Sequence, residues 1–460
     1  MAEGLTKALA THLADLRFED LPPATVLAAK RVILDGLGVI LAASGESADV
    51  APFIATAAGQ HAEPGASILG CGLRTAPGAA AFANGAMSHA LDFEDAFDLA
   101  PVHPNASLLP ALFASVQAYG PISGREAIVA VAAGCDLACR VGLSLRRPME
   151  DGGWYPPPIL AAFGATAAAA RCRQLTPGQI ADAFSLLLCQ VSCPGEIKHS
   201  PDTVIRAVRE AFPAQAAITS VELAARGVRG FDAPLEGKAG FFRLYVGGDY
   251  DPAALLNDLG RHFWIDRLSY KLWPACRGTH AYIEAAQKVR ADHRIRWQDI
   301  AGIDLDVGEV QQMLAFPEDR KRAPATAIDA KFSLPFTVAT AIVADDVTLD
   351  SFRVEQLENP DVLALAQRVR SHSRPDWDRR FATAGALRVH LHNGESFSAE
   401  ILDPLGSPDR PLSDNQLRAK FINCAARALR PLACTQLHSI ADRIMSLEAE
   451  SDMGSLLDLL

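Results

Sequence analysis

PILAAFGATAAAARC, residues 158–172, has so little side-chain bulk that only a tightly packed interior helix suits it. Its neighbours read the same way. LPPATVLAAKRVILDGLGVILAAS (21–44) begins with prolines at a helix entrance and continues with apolar residues at three- and four-residue steps. SGREAIVAVAAGCDLACRVGLSL (123–145) opens with Ser123 and Glu126 at capping-box spacing, and Thr176, Pro177 and Gln179 repeat the device. Working outward, residues 1–264 read as a helical domain rich in Ala and Gly. The texture changes near residue 265: IAGIDLDVGEV alternates like a strand. ALRVHLHNGESFSAEI places Leu387, Val389 and Leu391 opposite Phe397, Ala399 and Ile401 around an Asn393-Gly394 turn. LSDNQLRAKFINCAARAL then returns to helix from Ser413. The expected fold is mainly α, with a large all-helical domain (1–264 and 406–460) interrupted by a smaller α/β domain (265–405).

The chain has 460 residues, 49% apolar and 21% charged, ordinary values for a globular protein with more than one core. No run of 18 uncharged apolar residues suggests a membrane span, and the acidic amphipathic pattern MAEGLTKALATHLADL lacks the parts of a signal peptide. A cytoplasmic location is expected. The nine scattered cysteines agree, reading as buried reduced thiols. A net charge of −11 disfavours nucleic acid or an anionic membrane as partner. An anionic substrate therefore requires Lys and Arg to reverse the field locally.

Polar chemistry concentrates in SHALDFEDAFDLAPVHPNASLLPALFA, 88–114. Asp92, Asp95 and His103 follow a helical run, and Pro101, Pro104 and Pro110 are expected to hold the loop away from helix. An imidazole oriented by a carboxylate, here Asp92, suits proton transfer near neutrality. Metal ligation by His89, Asp92 and His103 is the weaker alternative because the spacing is loose, and no metal is assigned. SYKLWPACRGTHAYIEAA (269–286) sets Lys271, Arg277 and His280 around a Trp-Pro turn entering a helix, a pattern for anions. GGWYPPPILAAFGA places Tyr155 before the close-packed helix, and SPDTVIRAVREAF puts Arg206 and Arg209 on neighbouring turns. Each segment alone fits a solvated loop or helix face.

Together, and in this order, they resemble the MmgE/PrpD family, which includes 2-methylcitrate dehydratase, cis-aconitate decarboxylase and iminodisuccinate epimerase. The likeness rests on NGAMSHALDFEDAF followed by His103-Pro104, on GW-aromatic-Pro before FGATAAAA, and on LEGKAGFF (235–242), KLWPACRGTH (271–280) and AKFSLPFTVATAI (330–342). The resemblance implies a helical domain built from both chain ends, an inserted α/β lid, an active site in the cleft, a homodimer and no cofactor. It also makes Asp92, His103 and Lys271 the positions matching the family's catalytic residues. Tyr155 stands where relatives commonly have histidine, Arg206 where many have lysine, Ala96 where decarboxylase-like relatives have a hydroxyl residue, and Phe336 where some carry tyrosine. The implied chemistry is removal of a proton next to a carboxylate of a small di- or tricarboxylate. His103 is its acid or base, Tyr155 the partner, Lys271 with Arg206 or Arg277 the carboxylate clamp, and His280 a further substrate contact. A lyase is expected, with an epimerase or a non-catalytic polycarboxylate-binding protein as alternatives.

Overall fold

The computed structural model describes residues 4–200 and 203–460. The first three residues of the N-terminal pattern, and residues 201–202 of the two-arginine segment, lie outside them. By their internal contacts the residues form two units. One runs to Ala90, resumes over Glu94–Leu268 and ends with Ser413–Leu460; the other is Leu91–Phe93 with Ser269–Leu412. The molecule is mainly helical, and no described helix is long and apolar enough to cross a membrane.

In the first unit the small-residue stretch is the helix Pro156–Cys172, buried along almost its whole length. It crosses the helix Gly124–Leu143 backbone to backbone: a Cβ added to Gly164 would lie 2.5 Å from the Gly134 carbonyl, and one added to Gly134 would lie 2.5 Å from that of Gly164. Side-chain bulk at either crossing point would force these helices apart. The caps lie where the sequence places them. Ser123 accepts from the Glu126 amide, and Thr176 with Gln179 and Ser413 with Gln416 form reciprocal capping boxes. This unit also carries a short antiparallel hairpin, Ala66–Ile68 with Leu73–Thr75, which the helical reading did not include.

The second unit is built on a four-stranded sheet in the order Val369–Ser373, Ile300–Val307, Gly385–Leu391, Ser396–Ile401; the first pair is parallel and the others antiparallel. In Ile300–Val307 the buried side chains are Ile300, Ile303, Leu305 and Val307. The first step is three residues and the others two, so strict alternation fails once. A register shift between Ile300 and Gly302 absorbs the extra residue. The helix His280–His293 packs against Gly385–Leu391 and Ser396–Ile401. The hairpin loop differs from the expected two-residue turn. Gly394 N donates to Leu391 O at 3.0 Å and Leu391 N donates to Glu395 O at 2.8 Å, making a three-residue loop. Only Gly394 is left-handed (φ 92°), whereas a two-residue type I′ turn needs a positive φ at both central positions.

All nine cysteines are free. Six are buried and burial pushes several thiols up, but Cys189 and Cys434 are exposed, which corrects the uniform reading as buried.

Candidate active site

In the first unit, the helix Pro77–Ala90 carries His89 on its last turn. One turn earlier stands Gly85, where an added Cβ would lie 2.6 Å from the Glu210 carbonyl. That close approach brings the Arg209-Glu210 segment against the helix. His89 is fully buried, and its Nδ1 lies 2.5 Å from Glu94 Oε1. The same oxygen lies 3.1 Å from His103 Nδ1, which also donates to the Asp95 carbonyl at 2.9 Å. The two imidazole centroids are 5.5 Å apart. On the other side of His89, Arg209 Nη1 contacts Nε2 and donates to the Arg206 carbonyl at 2.7 Å, while its Nε pairs with Glu210 at 3.1 Å. Glu210 accepts a hydrogen bond from Ser107 at 2.5 Å, and burial raises its carboxyl above the usual range. The Arg209 guanidinium lies 5.1 Å from the Tyr155 ring centre, and Lys198 Nζ lies 5.2 Å from it.

His103 is itself the N-cap of the helix Pro104–Ala118. This corrects the reading of the prolines: Pro104 opens a helix and Pro110 lies inside one. Pro110 has no N–H for the Ala106 carbonyl four residues back, a defect that ordinarily costs about 3 kcal/mol. Ser88 Oγ, on the helix carrying His89, donates to that carbonyl instead at 2.5 Å. The proline thus helps tie the His103 helix to the His89 helix.

In the second unit, Asp92 is buried and left-handed (φ 50°). A short polar side chain tolerates that conformation when its surroundings hold it there. Lys271, with no exposed surface, supplies the hold: its Nζ donates to the Asp92 carboxylate at 2.5 Å and to the Asp92 carbonyl at 2.9 Å. Lys331, also buried, donates to the Leu91 carbonyl at 2.9 Å. Two ammonium groups therefore grip consecutive peptide units. Arg277 donates to Ser269 Oγ at 3.2 Å and its Nη1 lies 3.4 Å from His280 Nδ1, while His280 Nε2 lies 3.3 Å from the Ala275 carbonyl.

Within the first unit the structure therefore links His103, Tyr155 and Arg206 through Glu94, His89 and Arg209. Within the second it pairs Asp92 with Lys271 and Arg277 with His280. The carboxylate beside His103 there is Glu94, whereas the sequence reading gave that role to Asp92. The sequence pattern gives Glu94, His89 and Lys331 no such roles and marks Arg209 only as a helix-face arginine. The His89/Glu94 spacing of five residues crosses a helix end, so no periodicity exposes it. Lys331 is the one charged residue in the largely apolar stretch AKFSLPF, and that isolation is its available signal.

Asp95, fully buried, accepts from Asn105 Nδ2 at 3.0 Å. Burial above all, opposed by that hydrogen bond and the Lys420 charge and aided by Asp35 and Glu94, raises its carboxyl to about 7. A carboxyl raised on folding destabilises the fold increasingly as pH climbs from its unfolded value of 3.8 to about 7. Asp95→Asn, which keeps an acceptor for Asn105, is expected to gain about 2–3 kcal/mol over wild type between pH 5 and pH 8. Chemical denaturation at the two pH values checks it; an unchanged difference would contradict the assignment.

The fold is that of a mainly helical protein whose smaller unit is α/β; the larger unit holds the acid and imidazole cluster of His89, Glu94 and His103, and the smaller one holds buried ammonium groups against Leu91 and Asp92. Residues 7–253 match the model of the MmgE/PrpD N-terminal domain and residues 273–450 that of the MmgE/PrpD C-terminal domain. The chain belongs to the MmgE/PrpD family. Over 480 residues it is 26% identical to the cis-aconitate decarboxylase-like protein oryM of Aspergillus oryzae, covering 99% of this chain and 97% of that protein. It is similarly related to the cis-aconitate decarboxylases of Aspergillus terreus (24%, 99% and 96%) and Homo sapiens (25%, 100% and 95%).

Proposed function

We propose that the protein is a lyase acting on a small di- or tricarboxylate, with His103 moving the proton at a carbon next to a carboxylate. The observation that carries this reading is the graded exposure of the imidazole cluster. His89 and Glu94 are 0% and 2% exposed at their side chains, whereas His103 keeps 18%. A buried carboxylate and a buried second imidazole thus back one ring that retains access, as general acid–base chemistry requires. Lys271, Arg277 and His280, with Arg206, are assigned to the negative charge of the substrate. In a decarboxylation the bond to one carboxylate breaks, carbon dioxide leaves, and His103 protonates the carbon that keeps the electron pair. In a dehydration His103 takes the proton, and the hydroxyl leaves as water with a proton supplied by a second acid. Relatives named cis-aconitate decarboxylases favour the first form. Ala96 and Phe336, both buried and without hydroxyl groups, favour a substrate other than cis-aconitate.

The test is a mass-resolved screen of methylcitrate, aconitate, iminodisuccinate and related carboxylates with the purified protein. Loss of carbon dioxide or water from one of them is expected. An inverted stereocentre without mass change would identify an epimerase instead, and an inert panel would contradict the enzymatic reading.

A further inference from the structure

We propose that Arg209 and His89 are positioning residues that act through Glu94 to fix which nitrogen of His103 carries its proton and to raise the affinity of His103 for a second one. This rests on the role given to His103 above. The argument starts from a group that can only donate. A guanidinium has no acceptor, so the Arg209 Nη1 contact with His89 Nε2 requires a lone pair on that nitrogen. His89 is then neutral, with its proton on Nδ1, and it donates that proton to Glu94 Oε1. Glu94 accepts at this oxygen as a carboxylate. At the far end the Asp95 carbonyl can only accept, so His103 Nδ1 carries a proton, shared between that carbonyl and Glu94 Oε1. His103 Nε2 is left with the lone pair that takes a proton.

Arg209 has a second effect. Were His89 to become an imidazolium, its charge would cancel that of Glu94; a guanidinium against its Nε2 opposes this by like charge and by the loss of an acceptor. Glu94 therefore keeps a net negative charge facing His103. Among the described residues of this unit, other charged and titratable groups along this chain include Glu210, which pairs with Arg209; Arg206, Tyr155 and Lys198 on the Arg209 side; and Asp95 with Asp35 and Lys420 on the His103 side. Glu210 balances Arg209, so the pair positions protons without adding net charge. Arg209 is 2% exposed and Glu210 0%, which keeps water from substituting for either.

Nitrogen-15 NMR of the histidine-labelled protein tests the proposal independently of turnover. In wild type, neutral His103 is expected as the Nδ1–H tautomer. In Glu94→Gln its pKa is expected to fall by about 1 unit, because an opposite charge is lost. Arg209→Met combined with Glu210→Gln, which leaves no buried carboxylate unpaired, should lower it in the same direction, and Arg209→Lys, still donor-only, should restore it. An Nε2–H tautomer in wild type, or an unmoved His103 pKa in both Glu94→Gln and the double variant, would overturn the proposal. Activity separates the two readings. Normal turnover by His103→Gln with the NMR results as expected would remove the catalytic role and keep the positioning chain; an inactive His103→Gln with unmoved pKa values would do the reverse.

Discussion

Replacing Lys271 by methionine is expected to lower kcat/KM by about 10³ and to destabilise the protein by about 3–5 kcal/mol. The two losses have different origins. Methionine keeps the length of the side chain but removes the ammonium that binds both the carboxylate and the carbonyl of Asp92. A buried carboxylate is then left without its counter-charge, which is far costlier than removing both members of such a pair. The left-handed backbone at Asp92 loses one of the contacts that hold it. The double variant Lys271→Met/Asp92→Asn should therefore recover most of the stability while remaining inactive, since no charge is restored. Denaturant unfolding beside kcat/KM separates these effects. A double variant as unstable as the single one would show that the pair contributes little, and a double variant that regained activity would show that Lys271 serves only to neutralise Asp92.

His103→Gln is expected to lower kcat/KM by about 10² to 10⁴ with an unfolding midpoint close to wild type. Glutamine keeps an N–H for the Asp95 carbonyl and Glu94, so the helix that begins at Pro104 keeps its entry geometry, but an amide cannot take up a proton at pH 7. The neighbouring imidazole offers no substitute, because His89 is fully buried with both ring nitrogens engaged. The residual rate should lose its pH dependence in the acid range if His103 is the group titrating there. A midpoint shift large enough to explain the lost activity would place His103 among the structural residues instead.

Much of the fold was legible because it is written in local chemistry. Low-bulk helix sequence predicted a tightly packed interior position for residues 158–172, which the structure realises, and Ser123, Thr176 and Ser413 marked helix starts through their hydroxyls. What local chemistry could not express was compensation from a distance. Pro110 reads as a helix breaker, yet Ser88 supplies the missing donor from another helix. Asn393-Gly394 reads as a two-residue turn, yet only the glycine adopts the left-handed conformation and the loop takes a third residue. In the site, residue types at 92, 103, 155, 206 and 271 stood out against their surroundings. The proton order among His89, Glu94 and Arg209 depends on contacts spanning 120 residues, and no spacing in the sequence carries that information.

The most direct measurement follows the proton. With the carboxylate that the screen identifies as substrate, turnover in deuterated water is monitored by mass and NMR for wild type and His103→Gln, with the variant at high enzyme concentration. The account predicts deuterium at the carbon next to a carboxylate, in product or in recovered substrate, appearing with wild type and slowed by about 10² or more in His103→Gln. Deuterium entering that carbon equally fast in both proteins would contradict it.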